Sequence, residues 1–360
     1  MLCVEIGGGV EAGFGPVREA FEEALGGHGG AGSAAAVWHD GRWVADLWGG
    51  SAGRGKWSWD SIVQPYSVSK PFVALCALYL VDQGKLELDA AVGRYWPRFR
   101  AQATVRQVLS HQAGVVAIDE PVSADAFYDW DRLCGYLERQ EPQWEPGTAH
   151  GESALFYGHL VGELVRRIDG RTPGRFLREE VCGPLGLDFH VGLRRAELTR
   201  AVDLTGLDED FRQTNAAGKP DLYRRATSNP PGAQDPLVVN GVAWRSAEIP
   251  AVNGHGTARA VAGFYAALLE GRLLSPGLLA EATSVQCSGP DLVLGRDNAW
   301  GLGFALDPDG YGMGGLGGSL GWTMTDACYA FAYVTGHVGT YDQATLIENA
   351  VRDCLGLPQL

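Results

Sequence analysis

A serine and a lysine stand three residues apart in the segment QPYSVSKPF, as Ser67 and Lys70. Lysine is scarce here, with four copies among 29 basic residues, and this one directly precedes an apolar run. Residues at this spacing on a helix share one face, with Cβ atoms about 5–6 Å apart. A neutral lysine can then take the serine proton and make the hydroxyl a nucleophile. Apolar surroundings favour the neutral amine, because desolvation lowers the pKa of an ammonium group.

The Ser-x-x-Lys spacing occurs once in the chain, and by itself it is a weak signal. The alternative interpretation is a serine at a helix N-terminus beside a surface lysine. If Ser67 begins a helix, its backbone N–H also points to the place where an oxyanion would form. The meaning of the pair therefore depends on the elements that surround it.

The first ninety residues predict a helix, a hairpin and a second helix. Residues 16–25 have a proline at the first position and amphipathic spacing, which indicate a helix. Residues 33–50 are two apolar runs joined by Asp40-Gly41, a strong hairpin signal because glycine accepts positive φ. Residues 67–83 predict an apolar helix that ends at Gly84.

Helical spacing then dominates the middle of the chain, and strands return near its end. Helices are predicted over 104–110, 123–140, 153–169, 172–181 and 257–271, and the irregular stretch 205–256 is typical of a binding or lid region. Glycine-rich strands and a final helix fill the last seventy residues. This order favours an α/β fold in which N- and C-terminal segments share one antiparallel sheet flanked by helices. We predict a sheet domain of residues 1–90 and 255–360 and a mostly helical inserted domain of residues 91–254, with the active site in the cleft between them.

The composition indicates which classes of partner and which cellular compartment to expect. The 360 residues are 46% hydrophobic with a net charge of −14, so a nucleic-acid partner is not expected. The chain contains no run of about 18 apolar residues, so we expect no membrane span. The acidic N-terminus does not resemble a secretory signal. Seven scattered cysteines without a CxxC pair indicate reduced thiols in the cytoplasm. We also expect no cofactor, no metal and no obligate protein partner, since no fingerprint or ligand spacing is present.

Four segments in order resemble the serine β-lactamase and penicillin-binding-protein superfamily, specifically its class C-like esterase and transacylase branch. The hairpin AVWHDGRWVADLWGG precedes the Ser-x-x-Lys pair, and residues 105–115, VRQVLSHQAGV, are similar to the family's LLxHTSGL segment. Residues 145–188 follow the second-motif helix and the PLGL after it, and residues 311–322, YGMGGLGGSLGW, resemble the third motif. The resemblance covers nearly the whole chain and implies that Ser67 is acylated by an ester or amide.

The resemblance also implies roles for individual residues. Lys70 would accept the serine proton, and the N–H groups of Ser67 and Leu316 would form the oxyanion hole. Gly314 and Gly315 would let substrate approach the third-motif strand, although turn chemistry explains them equally well. Further substrate-contact candidates are Tyr66, Met313, His255 and Trp300, with a surface loop as the alternative for His255.

Two positions depart from the family pattern. Glu152 stands where the second motif has a tyrosine that works with the lysine. A carboxyl in an apolar cleft has a raised pKa and can shuttle a proton, but it can also pair with Lys70 and hold it charged. We expect Tyr157, five residues later, to pack the helix, and His111 to cap or pack. Met313 replaces the lysine that recognises the β-lactam carboxylate in classical members, which argues against antibiotic hydrolysis.

The leading hypothesis is therefore acyl transfer through an acyl-enzyme, from a small-molecule ester or activated donor to water, an alcohol or an amine. A carboxylate at position 152 suits deprotonation of an amine, which tilts the expectation toward transacylation in natural-product metabolism. A plain carboxylesterase is one alternative. A catalytically weak binding or sensor module that keeps the fold is the other.

Overall fold

The computed structural model describes residues 5–27 and 30–360. The strands are β1 (Ile6–Val10), β2 (Ser33–His39), β3 (Arg42–Gly49), β4 (Phe189–His190), β5 (His255–Gly256), β6 (Cys287–Pro290), β7 (Asp297–Trp300), β8 (Ala305–Asp307), β9 (Gly310–Gly314), β10 (Leu320–Met324) and β11 (Tyr329–Thr335). The helices are α1 (Gly15–Gly26), α2 (Lys70–Asp82), α3 (Val105–Leu109), α4 (Trp130–Arg139), α5 (Tyr157–Asp169), α6 (Pro173–Phe176), α7 (Gly183–Leu185), α8 (Arg195–Leu198), α9 (Glu209–Ala216), α10 (Asp221–Ser228), α11 (Pro236–Val239), α12 (Val242–Ser246), α13 (Ala258–Leu269), α14 (Pro276–Ala282) and α15 (Asp342–Cys354).

One antiparallel sheet joins the two ends of the chain. Its nine strands run in the order β1-β3-β2-β11-β10-β9-β8-β7-β6, and β4 pairs with β5 separately. The contact between the chain ends is the β2–β11 ladder, with Ser33 opposite Thr335 and His39 opposite Tyr329. The predicted α/β fold with a shared antiparallel sheet is therefore confirmed. The predicted division into two domains stays a prediction.

Alternating side chains of β2 cover both faces of this sheet. Ala34, Ala36 and Trp38 contribute to the core that contains α2 and α13, whereas Ala35 and Val37 pack with α1 and α15. This alternation follows from the two-residue period of a strand. The sheet is thus buried on both faces, and its α2 face carries the segment with Ser67.

The predicted hairpin and the predicted helix after it are both present, the helix with a modified start. Asp40 and Gly41 both have positive φ, at 44° and 83°, as a two-residue hairpin turn requires. The segment predicted as a helix over 67–83 begins as a 3₁₀ turn at Tyr66–Ser69 and becomes α-helical at Lys70. Helix α2 is apolar on nearly all sides because it lies between the sheet face and α5.

Two predicted helices are interrupted. The stretch predicted over 123–140 contains a 3₁₀ turn at Ala124–Tyr128, because Asp129 leaves helical geometry and its carboxylate caps a new helix by accepting the N–H of Arg132. The stretch predicted over 172–181 changes from α-helix to a π-helical segment at Leu177–Cys182. The irregular stretch 205–256 contains four short helices, α9 to α12.

The described cysteines are free. Cys76, Cys134 and Cys182 are buried, Cys287, Cys328 and Cys354 are half-buried, and Cys3 lies outside the described residues. Within residues 5–27 and 30–360, no helix is long and apolar enough to cross a membrane. The same part of the chain contains no group of three His, Cys, Asp or Glu side chains placed to hold a metal ion.

Candidate active site

A strained residue presents Ser67. Tyr66 has a positive φ of 48° and is buried, and its hydroxyl donates to the carbonyl of Ala233 at 3.1 Å. Positive φ is rare for a bulky side chain, and such outliers cluster at functional sites. The tight 3₁₀ turn then places Ser67 one turn before Lys70 at the start of α2.

Ser67, Lys70 and Glu152 form a closed triangle. Lys70 Nζ lies 2.6 Å from Ser67 Oγ and 2.9 Å from Glu152 Oε1. The Ser67 hydroxyl donates to the same carboxylate oxygen at 3.3 Å. Lys70 Nζ also donates to the carbonyl of Ala251 at 3.4 Å, and its side chain is fully buried. Each of the three side chains is therefore within hydrogen-bonding distance of the other two.

The charges of the triangle follow from burial and pairing. Burial lowers the pKa of Lys70, and the neighbouring Glu152 carboxylate opposes that change in part. Burial raises the pKa of Glu152, but the charge of Lys70 and its hydrogen bond outweigh burial, so this pKa lies below its usual value. The predicted raised pKa of Glu152 is wrong for this reason. The alternative expectation, a pair with Lys70, is what the structure contains.

Three consecutive backbone N–H groups hold Glu152 in place. Gly151 N donates to the His111 carbonyl at 3.1 Å, Glu152 N donates to Asp291 Oδ2 at 3.0 Å, and Ser153 N donates to His111 Nδ1 at 3.2 Å. Burial lowers the pKa of His111 to about 3, so the ring stays neutral and Nδ1 remains an acceptor. His111 is therefore a positioning residue for Glu152.

Aromatic packing and Asp291 fix this arrangement from behind. The His111 ring lies 4.6 Å from the Tyr157 ring and 4.4 Å from the Trp300 ring. Tyr157 is fully buried and donates its hydroxyl to the Leu109 carbonyl at 3.0 Å, so its predicted packing role is confirmed. Trp300 donates its indole N–H to Asp291 at 3.2 Å.

Asp291 is a functional residue that the sequence does not reveal. Its buried carboxylate accepts the N–H groups of Val293 and Leu294 besides those of Glu152 and Trp300. It follows β6 directly and lies 139 residues from Glu152 in the chain. No motif or local period connects the two.

The third-motif strand brings a backbone donor to Ser67. A Cβ at Gly315 would lie 2.0 Å from the Pro65 carbonyl oxygen, so only glycine allows this close approach. Tyr341 donates its hydroxyl to the Gly315 carbonyl at 2.7 Å and fixes the strand end. The next residue, Leu316, lines the same cavity as Ser67. In the described chain its N–H has no protein acceptor, as an oxyanion donor requires.

A cavity of about 330 Å³ opens over these groups. Tyr66, Ser67, Glu152, Gly314 and Leu316 line it, which are five of the residues that the sequence predicts. Residues of the stretch 205–256 form its opposite wall. A larger cavity of about 600 Å³ borders it, but none of Ser67, Lys70 and Glu152 lines that cavity. The smaller cavity is therefore the candidate active site.

Four of the predicted substrate contacts do not line this cavity: Met313, Gly315, His255 and Trp300. Gly314 faces it, so Met313 points to the opposite face of β9, where it is buried. His255 is buried in β5 with Nδ1 2.8 Å from the Asn253 carbonyl, which excludes both the pocket and the surface loop. Trp300 lies behind the site as described above. Gly315 packs its backbone against Pro65, as described above.

Known proteins share this fold over nearly the whole chain. The sequence profile of the beta-lactamase family matches residues 17–352. The esterase/beta-lactamase LipL of Mycobacterium tuberculosis is 32% identical over 91% of this chain and 82% of its own length.

Solved structures agree with the sequence relatives. A crystal structure of a family VIII carboxylesterase has a TM-score of 0.88 at 34% identity, covering 97% of this chain and 100% of that one. A penicillin-binding protein homolog from Caulobacter crescentus has a TM-score of 0.85 at 32% identity, with the same shares covered. The chain belongs to the beta-lactamase family.

Proposed function

We propose that the protein is a carboxylesterase that works through an acyl-enzyme on Ser67. The observation that carries the proposal is the triangle of Ser67, Lys70 and Glu152, with all three contacts at 3.3 Å or less. The names of the relatives support the class of reaction, since both an esterase and a family VIII carboxylesterase are about one third identical to this chain.

Glu152 is the proton acceptor in this proposal, and Lys70 is the partner that stabilises charge. An ammonium group has three N–H donors and no acceptor. Lys70 Nζ contacts three oxygens, on Ser67, Glu152 and Ala251, and each of them can accept a hydrogen bond from an ammonium group. The Ser67 hydroxyl also lies 3.3 Å from Glu152 Oε1, within reach of proton transfer. We choose Glu152 over Lys70, the base that the family resemblance implies, because the ion pair lowers the pKa of Glu152 and keeps it an ionised carboxylate that can accept a proton.

The reaction then proceeds in two halves. Ser67 Oγ bonds to the ester carbonyl carbon while its proton passes to Glu152, and the negative carbonyl oxygen is held by the N–H groups of Ser67 and Leu316. The bond to the alkoxy oxygen breaks, and the leaving alcohol takes the proton from Glu152. Water then attacks the acyl group, gives its proton to Glu152, and the acid leaves as Ser67 regains that proton.

An alcohol or amine in place of water would make the same site a transacylase. The carboxylate of Glu152 lies beside the acyl position and would deprotonate either acceptor in the same way. The proposal of natural-product transacylation rests on this chemistry alone, so hydrolysis is the first activity to measure.

The test is hydrolysis of p-nitrophenyl butanoate by the wild type and by Ser67→Ala. Ser61→Ala is the control, since Ser61 is a buried serine outside the cavity, whereas Ser67 is half-buried and lines it. We expect turnover by the wild type and the control and none by Ser67→Ala. Equal rates for all three proteins would overturn the proposal, and a binding module would show no Ser67-dependent turnover. Addition of butanol or an amine tests transacylation, since a new ester or amide would form in place of acid.

A further inference from the structure

Two cations line the active-site cavity without a carboxylate partner. Lys219 and Arg296 both line it, together with Ser67. Among the described residues neither side chain forms an ion pair. Most other basic residues of this acidic chain do form one, and these two differ from the remaining unpaired ones because they line the cavity.

A glycine contact holds the two cations near each other. Gly295 has a positive φ of 69°, and a Cβ there would lie 2.6 Å from Pro220 Cδ. The turn between β6 and β7 therefore packs directly on the loop after α9. Lys219 precedes Pro220 and Arg296 follows Gly295, so this contact brings both side chains to one rim.

The surroundings hold Lys219 without neutralising it. Its ammonium nitrogen lies 5.1 Å from the centroid of the Tyr223 ring, a cation–π distance. Burial lowers the pKa of Lys219 and the charge of Arg296 lowers it further, whereas the charges of Glu152 and Asp291 oppose this change in part. Two like charges placed together cost free energy, and a bound anion would remove that cost.

Three carboxylates act on these two cations through their charge, and within the described residues none of them forms an ion pair with either cation. Glu152 pairs with Lys70 at 2.9 Å, and Asp291 is surrounded by backbone and indole N–H donors. Asp307 acts on Arg296 through its charge. In the described part of the chain, neither Lys219 Nζ nor the Arg296 guanidinium donates a hydrogen bond, so their N–H groups remain for a ligand.

We infer that Lys219 and Arg296 bind a carboxylate carried by the ester, so that the favoured substrates are esters with a second, ionised carboxyl group. This inference rests on the proposed esterase function and names its substrate class. Guanidinium and ammonium groups are the side chains that proteins use for carboxylates. Both lie on segments other than the third-motif strand.

The kinetic test compares charged and neutral esters. Mono-p-nitrophenyl esters of succinic, glutaric, adipic and suberic acid place the carboxylate on the acyl side, with p-nitrophenyl butanoate as the neutral reference. The butanoate ester of 4-hydroxybenzoate, against phenyl butanoate, places it on the alcohol side. We expect kcat/KM to favour at least one charged ester over its neutral reference.

The double variant Lys219→Met/Arg296→Gln should abolish this preference. We expect the ratio of kcat/KM, charged over neutral, to fall about tenfold or more, because hydrogen bonds between charged groups are worth that much. Lys85→Met/Arg195→Gln removes the same charge from exposed positions outside the cavity and should leave the ratio unchanged. No preference in the wild type, or an equal fall in the control, would overturn the inference.

A binding measurement separates this inference from the proposed function. Titration calorimetry on Ser67→Ala with monomethyl glutarate and with dimethyl glutarate needs no catalysis. We expect binding of the charged ester alone, and its loss when Lys219→Met/Arg296→Gln is added. If the wild type hydrolyses no ester but this pattern holds, the esterase proposal fails and the carboxylate site stands. If both esters bind equally, the carboxylate site is wrong.

Discussion

Replacement of Glu152 by glutamine removes the proposed proton acceptor and the negative charge that faces Lys70. Glutamine keeps the length and shape of the side chain, and its amide can still contact Lys70 and Ser67. It has no basic oxygen, so the serine proton loses its destination. A positioned general base contributes about 10²–10⁴-fold to rate, and we expect kcat/KM of Glu152→Gln to fall by that range.

The same change leaves Lys70 buried without its counter-charge. Unit charges 2.9 Å apart attract by about 6 kcal/mol at an effective dielectric constant of about 20. Desolvation offsets much of this gross attraction, and loss of one partner from a buried pair typically costs about 3–5 kcal/mol of unfolding free energy. The folded variant therefore sheds the Lys70 proton more readily than the unfolded chain. Its stability should rise as pH rises toward about 10, the ordinary pKa of lysine.

The assay is p-nitrophenyl butanoate hydrolysis across pH, with urea unfolding of each protein to separate activity from stability. Glu138→Gln is the matched control, because Glu138 is buried and pairs with Arg98 at 2.9 Å but lies outside the cavity. It should lose stability and keep kcat/KM within about threefold. If Glu152→Gln also keeps kcat/KM within about threefold, Glu152 is not the proton acceptor.

Three further outcomes follow from the same contacts. The pKa of Glu152 is lowered, so on the acid side kcat/KM should fall only below about pH 4.3, the ordinary pKa of glutamate. Circular dichroism at each pH checks that the protein remains folded. A fall of kcat/KM near neutral pH would show that a deprotonated lysine is required. Gly315→Ala should lower kcat about tenfold or more, because the added Cβ displaces the third-motif strand and its oxyanion donor. Gly277→Ala adds a Cβ in open space and should leave kcat unchanged. Equal kinetics for the two variants would refute the role of the strand. Tyr157→Phe should cost about 1 kcal/mol in unfolding free energy through the lost bond to Leu109 and keep kcat within about threefold, and a large loss of kcat would give Tyr157 a catalytic role.

The parts of the site that could be predicted from the sequence lie in contiguous motifs. Ser67 and Lys70 share one helical face, and that short-range geometry follows from their spacing alone. Glu152 and Leu316 were predicted by their place in the second and third motifs, and both line the cavity. The hairpin turn was predictable because Asp40-Gly41 tolerates two positive φ values.

The parts that could not be predicted depend on contacts between distant segments. Asp291 meets Glu152 across 139 residues, and Lys219 meets Arg296 only because Gly295 packs on Pro220. Neither contact leaves a period or a motif in the chain.

The wrong predictions have the same origin. His255 stands between glycines, which indicated a loop, but β5 pairs with β4 and buries it. The raised pKa expected for Glu152 followed from burial alone, and the charge of Lys70 reverses it. A single sequence does not show that β4 lies beside His255 or that the charge of Lys70 outweighs the effect of burial on Glu152.

The proposed function requires that Ser67 becomes covalently acylated or phosphonylated by reagents that esterases accept. Intact-mass measurement after treatment with a fluorophosphonate, followed by peptide mapping, tests it most directly. We expect one adduct per chain, located on the peptide that contains Ser67, and no adduct on Ser67→Ala. An unmodified wild-type protein, or an adduct that persists in Ser67→Ala, would contradict it.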